Sequence, residues 1–141
     1  KLKRVMKVKL AILAGGIFII CAAIGWYMYN KPHKGVAGIE ADIKIQAADL
    51  YNDYQRDETL ANKKYLNKVI EVTGNVSEVQ NVNGSQIILL SSTGDMGGVS
   101  CQLANDESNR KIIVKKSTTV TIKGKCSGYL MDVNLVDCVL K

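Results

Sequence analysis

The chain has 141 residues, room for one modest domain and an appendage. Its formal charge of +6 is unevenly placed: seven of 19 basic residues and no acidic one precede Val36, and from Val36 onward 12 basic side chains meet 13 acidic ones, a net of −1. A folded part so near neutrality excludes a domain-wide electrostatic footprint for phosphate, and the local run of Arg110, Lys111, Lys115 and Lys116 reads as solvated surface.

Residues 1–9 are a basic flank with Lys1, Lys3, Arg4, Lys7 and Lys9, and residues 10–29 carry no charge. As a helix rising about 1.5 Å per residue, residues 10–29 span roughly 30 Å, the hydrocarbon thickness of a bilayer. Trp26, Tyr27 and Tyr29 stand where an interfacial aromatic belt belongs. The stronger basic cluster lies on the N-terminal side. It predicts a single-pass protein of the cytoplasmic (inner) membrane with its N-terminus inside and its domain extracytoplasmic. The competing reading is a removed signal peptide, whose apolar core is shorter and ends at small residues. Gly35-Val36-Ala37-Gly38 is a weak version of such a site, and the bulky Phe18-Ile19-Ile20 argue against a lipidated Cys21. The expectation is an uncleaved anchor at 10–29, a linker at 30–42 holding the only proline, and a domain at 43–141.

From Ile43 the apolar spacing predicts a helix. Ala47, Leu50, Tyr51 and Tyr54 fall three or four apart, and Leu60, Ala61 and Tyr65 repeat this after a break that Asp57 can cap. The tyrosines read as core contacts. Beyond Lys68 the period becomes two through Ile70, Val72, Gly74 and Val76, then slips to Val79, which predicts a bulge or bend in a long strand. Asn83-Gly84 predicts a tight hairpin that sets Val79 opposite Ile88. A second strand at 85–92, a glycine-rich turn at 93–98 and a third strand at 99–103 follow. Asn105 can cap a short helix within 104–117. The fourth strand, 119–126, puts Val120, Ile122, Gly124 and Cys126 on one face; a turn at Ser127-Gly128 leads to the last strand, 133–140. Gly74, Gly84, Gly97, Gly98 and Gly128 are the structural turn or bulge glycines. The order predicts a mainly β domain: a five-stranded Greek-key barrel of the OB type with an N-terminal helix and a short helix between strands 3 and 4, behind one transmembrane helix.

Residues 61–76, 97–103 and 120–140 together resemble the bacterial tRNA-anti-like family of OB-fold domains, whose members often sit behind a spanning or signal segment. The likeness covers 47–141 and is most specific from 124 to 138. It implies an OB barrel and binding in general. The family name reflects a distant fold similarity to anticodon-binding domains, and no cofactor or catalytic residue comes with it. Ser117 departs from the pattern, because members tend to have glycine before the fourth strand.

The chemistry-bearing residues narrow the function further. The first three strands of the barrel contain no Phe, Trp or Tyr, and Tyr129 is the only aromatic after Tyr65. Stacking platforms for single-stranded nucleic acid, worth about 1–3 kcal/mol per base, are therefore missing from the usual second-and-third-strand face. The one histidine, His33, lies outside the domain, which removes Ser–His and Cys–His catalysis. Glu71, Asp95, Asp132 and Asp137 have no spacing that pairs them. Cys101, Cys126 and Cys138 lack the close pairs and histidines of a zinc site and form no Cys-x-x-Cys.

Two structural readings remain for these cysteines: small buried thiols, or one disulfide in an oxidising compartment. The OB order puts the last strand between the third and fourth, so Cys138 can approach Cys101 or Cys126. A tight turn near Tyr129 would set Cys126 opposite about Val133, too far along the strand from Cys138, which makes Cys101–Cys138 the favoured pair if any forms. The expected function is a membrane-anchored extracytoplasmic OB module that binds or scaffolds an envelope protein, polymer or small ligand, with no catalysis, cofactor or metal. The alternative is single-stranded nucleic-acid binding of the anticodon-domain kind.

Overall fold

The computed structural model describes residues 2–30, 36–92, 97–105 and 112–141. Two compact units result, Lys1–Pro32 and His33–Lys141.

The first unit is one helix, α1 (Leu2–Tyr29), which takes in the basic flank and the apolar run without a break. It is long and apolar enough to cross a membrane, with an 18-residue window of mean hydropathy 2.3. Trp26, Tyr27 and Tyr29 occupy its last turn with exposed rings.

The second unit is a closed barrel of β2 (Val69–Val82), β3 (Ser85–Ser91), β4 (Gly98–Leu103), β5 (Thr119–Tyr129) and β6 (Val133–Leu140). The strands run β2-β3-β4-β6-β5, and β2 pairs with β5 to complete the ring, so no long edge is left open within it. The β2 strand serves two neighbours in succession. Val69 to Asn75 pair with β5 and Val76 to Val82 with β3. The register shift between Val76 and Glu78 re-aims the strand where the sequence slips. Asn83 and Gly84 have φ of 50° and 80°, the left-handed pair of a tight hairpin, and Val79 lies opposite Ile88. The β6 strand runs parallel to β4 and antiparallel to β5. Inside sit Ile70, Val72, Ile88, Leu90, Ile122 and Leu135, each essentially inaccessible. Burying each such side chain contributes about 1.5–3 kcal/mol.

Ile43 opens a strand, not a helix. Ile43–Gln46 forms β1, parallel to β2 with Ile43 opposite Ile70 and Ile45 opposite Val72. Two β-branched residues alternating with Lys44 and Gln46 favour this extended pairing. Helical spacing starts at α2 (Ala47–Arg56) and resumes in α3 (Glu58–Tyr65), where the Asp57 carboxylate accepts from Leu60 N at 3.0 Å. Ala47, Leu50, Tyr51 and Tyr54 of α2, with Ala61 and Tyr65 of α3, are buried in the same core as the barrel interior.

Part of the segment read as linker packs on this domain. Val36 is buried in a single 3-10 turn, Val36–Gly38, and Lys123 Nζ donates to Ala37 O at 3.1 Å and Ile39 O at 2.6 Å. Asp42 Oδ2 accepts from Val69 N at 3.0 Å.

Two local expectations change at the C-terminal hairpin. Ser127-Gly128 is not a turn: β5 continues to Tyr129, opposite Val133, because Gly128 at φ 125° absorbs a register shift that bends the strand. Cys126 therefore faces Leu135 rather than Val133. Asp137 adopts φ 53° at a second shift, and this extra residue turns both Leu135 and Cys138 inward. The short helix expected between strands 3 and 4 falls largely on 106–111, outside the described residues, and 112–118 contain no helix. The first part of the glycine-rich turn, 93–96 with Asp95, is also outside them.

Candidate functional site

Strand alternation sorts the barrel residues into inner and outer sets. Ile88 and Leu90 of β3 and Val99, Cys101 and Leu103 of β4 point inward, which turns Ile87, Leu89, Ser100 and Gln102 outward. The ladder sets Ile87 beside Gln102, Leu89 beside Ser100, and Ser100 beside Asn134 of β6. These outer residues form a neutral sheet face of aliphatic, hydroxyl and amide groups. Glu78 borders them, opposite Leu89 and hydrogen-bonded by Gln80 Nε2 at 3.0 Å, and β6 itself carries Asp137. The strands β3, β4 and β6 contain no basic and no aromatic residue. The Asn83-Gly84 hairpin borders the face at one end. At the other is the β5–β6 turn, whose Leu130 and Met131 are 84% and 80% exposed.

The domain's four tyrosines gather elsewhere. Tyr54 stacks on Tyr129 with ring centroids 5.4 Å apart, Tyr51 meets Tyr129 edge-on at 6.1 Å, and Tyr65 lies 6.0 Å from Tyr54. Gln55 Nε2 donates to the Tyr51 hydroxyl at 2.9 Å and the Tyr129 hydroxyl at 2.6 Å. Burial, then the nearby Cys126 sulfur, pushes the Tyr54 phenol well above its ordinary value. Three of these rings are buried, so they serve as core, and the fourth is held by two of them.

A small cleft of about 240 Å³ opens where α2 begins, over β2 and the end of β3, lined by Gln46, Thr73, Asn75, Ser91, Ser92 and Thr119 among others. It too is neutral. Thr119 Oγ1 donates to Asn75 Oδ1 at 2.6 Å, and the Thr73 and Thr121 hydroxyls lie 2.9 Å apart.

The candidate carboxylates are engaged separately. Glu71 pairs with Lys141 at 2.8 Å, which holds its carboxyl below the ordinary range. Asp132 Oδ1 accepts from Gly98 N at 2.7 Å, and Asp137 occupies its bulge. Sequence reasoning passed over Asp53. Its carboxylate accepts from the Tyr65 hydroxyl and from Lys64, and the tyrosine hydroxyl is the chief cause of its lowered pKa. Among the described residues no cluster of three His, Cys, Asp or Glu is placed to hold a metal.

A family model for tRNA_anti-like domains matches residues 3–140. The chain belongs to the tRNA_anti-like family. The match reaches further than the 47–141 resemblance, because it includes the N-terminal helix. Among solved structures, a candidate nucleic acid-binding lipoprotein from Klebsiella pneumoniae subsp. pneumoniae MGH 78578 superposes with a TM-score of 0.57 at 15% identity. That alignment covers 75% of this chain and 94% of that one. At that identity the likeness is one of fold. None of the curated proteins matches the chain.

Within this tRNA_anti-like domain the motif glycines have distinct geometric roles. Gly98 lies so close to β3 that a Cβ would fall 2.0 Å from Leu90 O, and Gly97, at φ 96°, lies against the Tyr51 hydroxyl. A Cβ on Gly74 would come within 2.8 Å of Ala47 Cβ. Ser117, where the resemblance implies glycine, has φ 66°. The left-handed backbone accounts for that preference. Cys101, Cys126 and Cys138 are buried thiols, and Cys126 Sγ lies 3.4 Å from the Tyr54 hydroxyl.

Proposed function

We propose that this tRNA_anti-like chain is a membrane-anchored binding or scaffold module of the cell envelope. In this reading α1 crosses the cytoplasmic membrane once, with its basic flank inside and Trp26, Tyr27 and Tyr29 in the outer interface. The barrel is displayed on the outer side and takes a neutral partner: an envelope protein, an envelope polymer or a small ligand. It performs no catalysis. The observation that carries this reading is a pairing. An uncharged stretch at 10–29 follows five basic residues, and the barrel beyond it presents β3, β4 and β6 with neither a basic nor an aromatic side chain. Such a face recognises shape and hydrogen-bonding groups; it offers neither counterion release nor base stacking.

The test is site-specific photocrosslinking from Ser100 and Gln102 in cells. Adducts to an envelope component at these positions, and not from exposed Lys44 on β1, are expected. Equal adducts at all three positions contradict a partner on this face.

The second reading is single-stranded nucleic-acid binding. The name of the Klebsiella lipoprotein favours it. Contacts would then fall to lysines off the β3–β4–β6 face, such as Lys115, Lys116 and Lys125, all exposed. Full-length protein in detergent, titrated with labelled oligonucleotide at low salt, separates the two. Saturable binding that weakens steeply with added salt supports this second reading and contradicts the first.

A further inference from the structure

The cleft where α2 begins lies at a break in the ladder along one edge of β2. Pairing with β1 ends at Thr73, opposite Gln46, and pairing with β3 starts at Val76, opposite Leu90, so Gly74 and Asn75 fall between two partners. Gly74 lets α2 start directly against the strand, since a Cβ there would meet Ala47 Cβ at 2.8 Å. No ionisable side chain lines the opening. Two hydroxyls on its wall have committed their protons to the protein: Ser91 Oγ donates to Asn75 O at 3.3 Å and Thr119 Oγ1 to Asn75 Oδ1 at 2.6 Å. Each hydroxyl oxygen keeps lone pairs and is thereby fixed as an acceptor. The donors come from two carboxamides. Asn75 uses its Oδ1 for Thr119, which leaves Nδ2 to donate, and Gln46 stands at the N-cap of α2 without a side-chain cap bond.

We infer that this cleft binds one uncharged sugar ring, either a free sugar or the end residue of a glycan. Hydroxyls fixed as acceptors call for a ligand that brings its own protons, as the hydroxyls of a sugar do, and the carboxamides donate in return. A phosphate or carboxylate brings acceptors alone and meets no cation here, so its charge would be buried unpaired at a cost. A nucleobase finds no aromatic ring to stack on. The volume of about 240 Å³ lies under the ~300–1,000 Å³ of drug-sized ligand sites, which suits one ring and not a run of them. The cleft contains none of Ile87, Leu89, Ser100 and Gln102, so a sugar bound here and a partner on the β3–β4–β6 face are separate events.

Amide NMR of the isotope-labelled full chain, in a detergent without sugar groups, tests this. The probes are the methyl glycosides of glucose and N-acetylglucosamine, with glucuronate as a charged ring of similar size. Saturable shifts at Asn75, Ser92 and Thr119 are expected with a neutral ring, and glucuronate should bind at least about tenfold more weakly. Ala48 lines the cleft from the first turn of α2, so Ala48→Leu should fill it and abolish the shifts without lowering the melting temperature. Thr119→Val, which removes one acceptor and keeps the shape, should weaken binding about tenfold. A trisaccharide of N-acetylglucosamine that binds more tightly than the single ring assigns the site to a glycan end, and equal affinity assigns it to a free sugar. No saturable shift with either neutral ring, equal affinity for glucuronate, or shifts that survive Ala48→Leu overturn the proposal.

Discussion

The Asp132 carboxylate accepts a hydrogen bond from the backbone N–H of Gly98 at 2.7 Å, tying the β5–β6 turn to the first residue of β4. Gly98 is buried, so removing the acceptor strands a donor where water does not readily replace it. Asp132→Ala is expected to cost about 1–3 kcal/mol in denaturant unfolding. Asp132→Asn, which keeps an oxygen acceptor, is expected to lose less. Equal losses in the two variants would contradict the clamp.

Two glycines of similar appearance in sequence should respond very differently to alanine. At Gly98 the new methyl meets Leu90 O at 2.0 Å, and a paired backbone cannot yield. Gly98→Ala is expected to lose about 3 kcal/mol or more and to express poorly. Gly84 has open space around it and only its φ of 80° to offend, so Gly84→Ala should cost about 1–2 kcal/mol. Thermal melts of the pair provide the comparison.

Ser117 holds φ 66° in the turn before β5, with its N–H on Val76 O at 2.8 Å. A non-glycine residue there carries a steric penalty that glycine does not. Ser117→Gly is expected to stabilise by about 1 kcal/mol, offset in part by the extra freedom of glycine in the unfolded chain. A lowered denaturation midpoint would contradict the strain.

Asp53 links α2 to α3 through Tyr65 and Lys64, and its carboxyl titrates below the ordinary range, chiefly because the Tyr65 hydroxyl donates to it. A lowered folded-state pKa means that the contribution is complete above the unfolded value near 3.9 and is lost as pH falls through the folded value. Unfolding midpoints measured from pH 6 down to pH 2 should therefore fall less steeply in Asp53→Asn than in the parent. An unchanged slope would contradict the assignment.

The parts of the fold legible in sequence are those governed by neighbours in the chain. Val79 opposite Ile88 follows from a two-residue turn between alternating strands, and the Asp57 cap from one residue before a helical turn. Ile43 to Gln46 alternate as a strand does, but so short a run is masked by the helical spacing that begins at Ala47, and only pairing with β2 decides the matter. The β5–β6 register was missed for a related reason. Gly128 and Asp137 each take left-handed backbone at a shift, and alternation alone does not reveal an extra residue. The Asp132–Gly98 clamp and the gathering of Tyr129 onto Tyr54 join residues far apart in sequence, which no local pattern encodes. The lack of aromatic residues in β3 and β4 was legible because such an absence holds however the strands pair.

The central claim is that the barrel is held outside the cytoplasm by α1. Protease digestion of intact spheroplasts expressing the full chain with a C-terminal epitope tests it most directly. The account predicts that external protease removes the epitope, and that undigested controls retain the full-length mass in the membrane fraction. An epitope protected until the spheroplasts are lysed, or a mature protein shortened by the mass of α1, would contradict it.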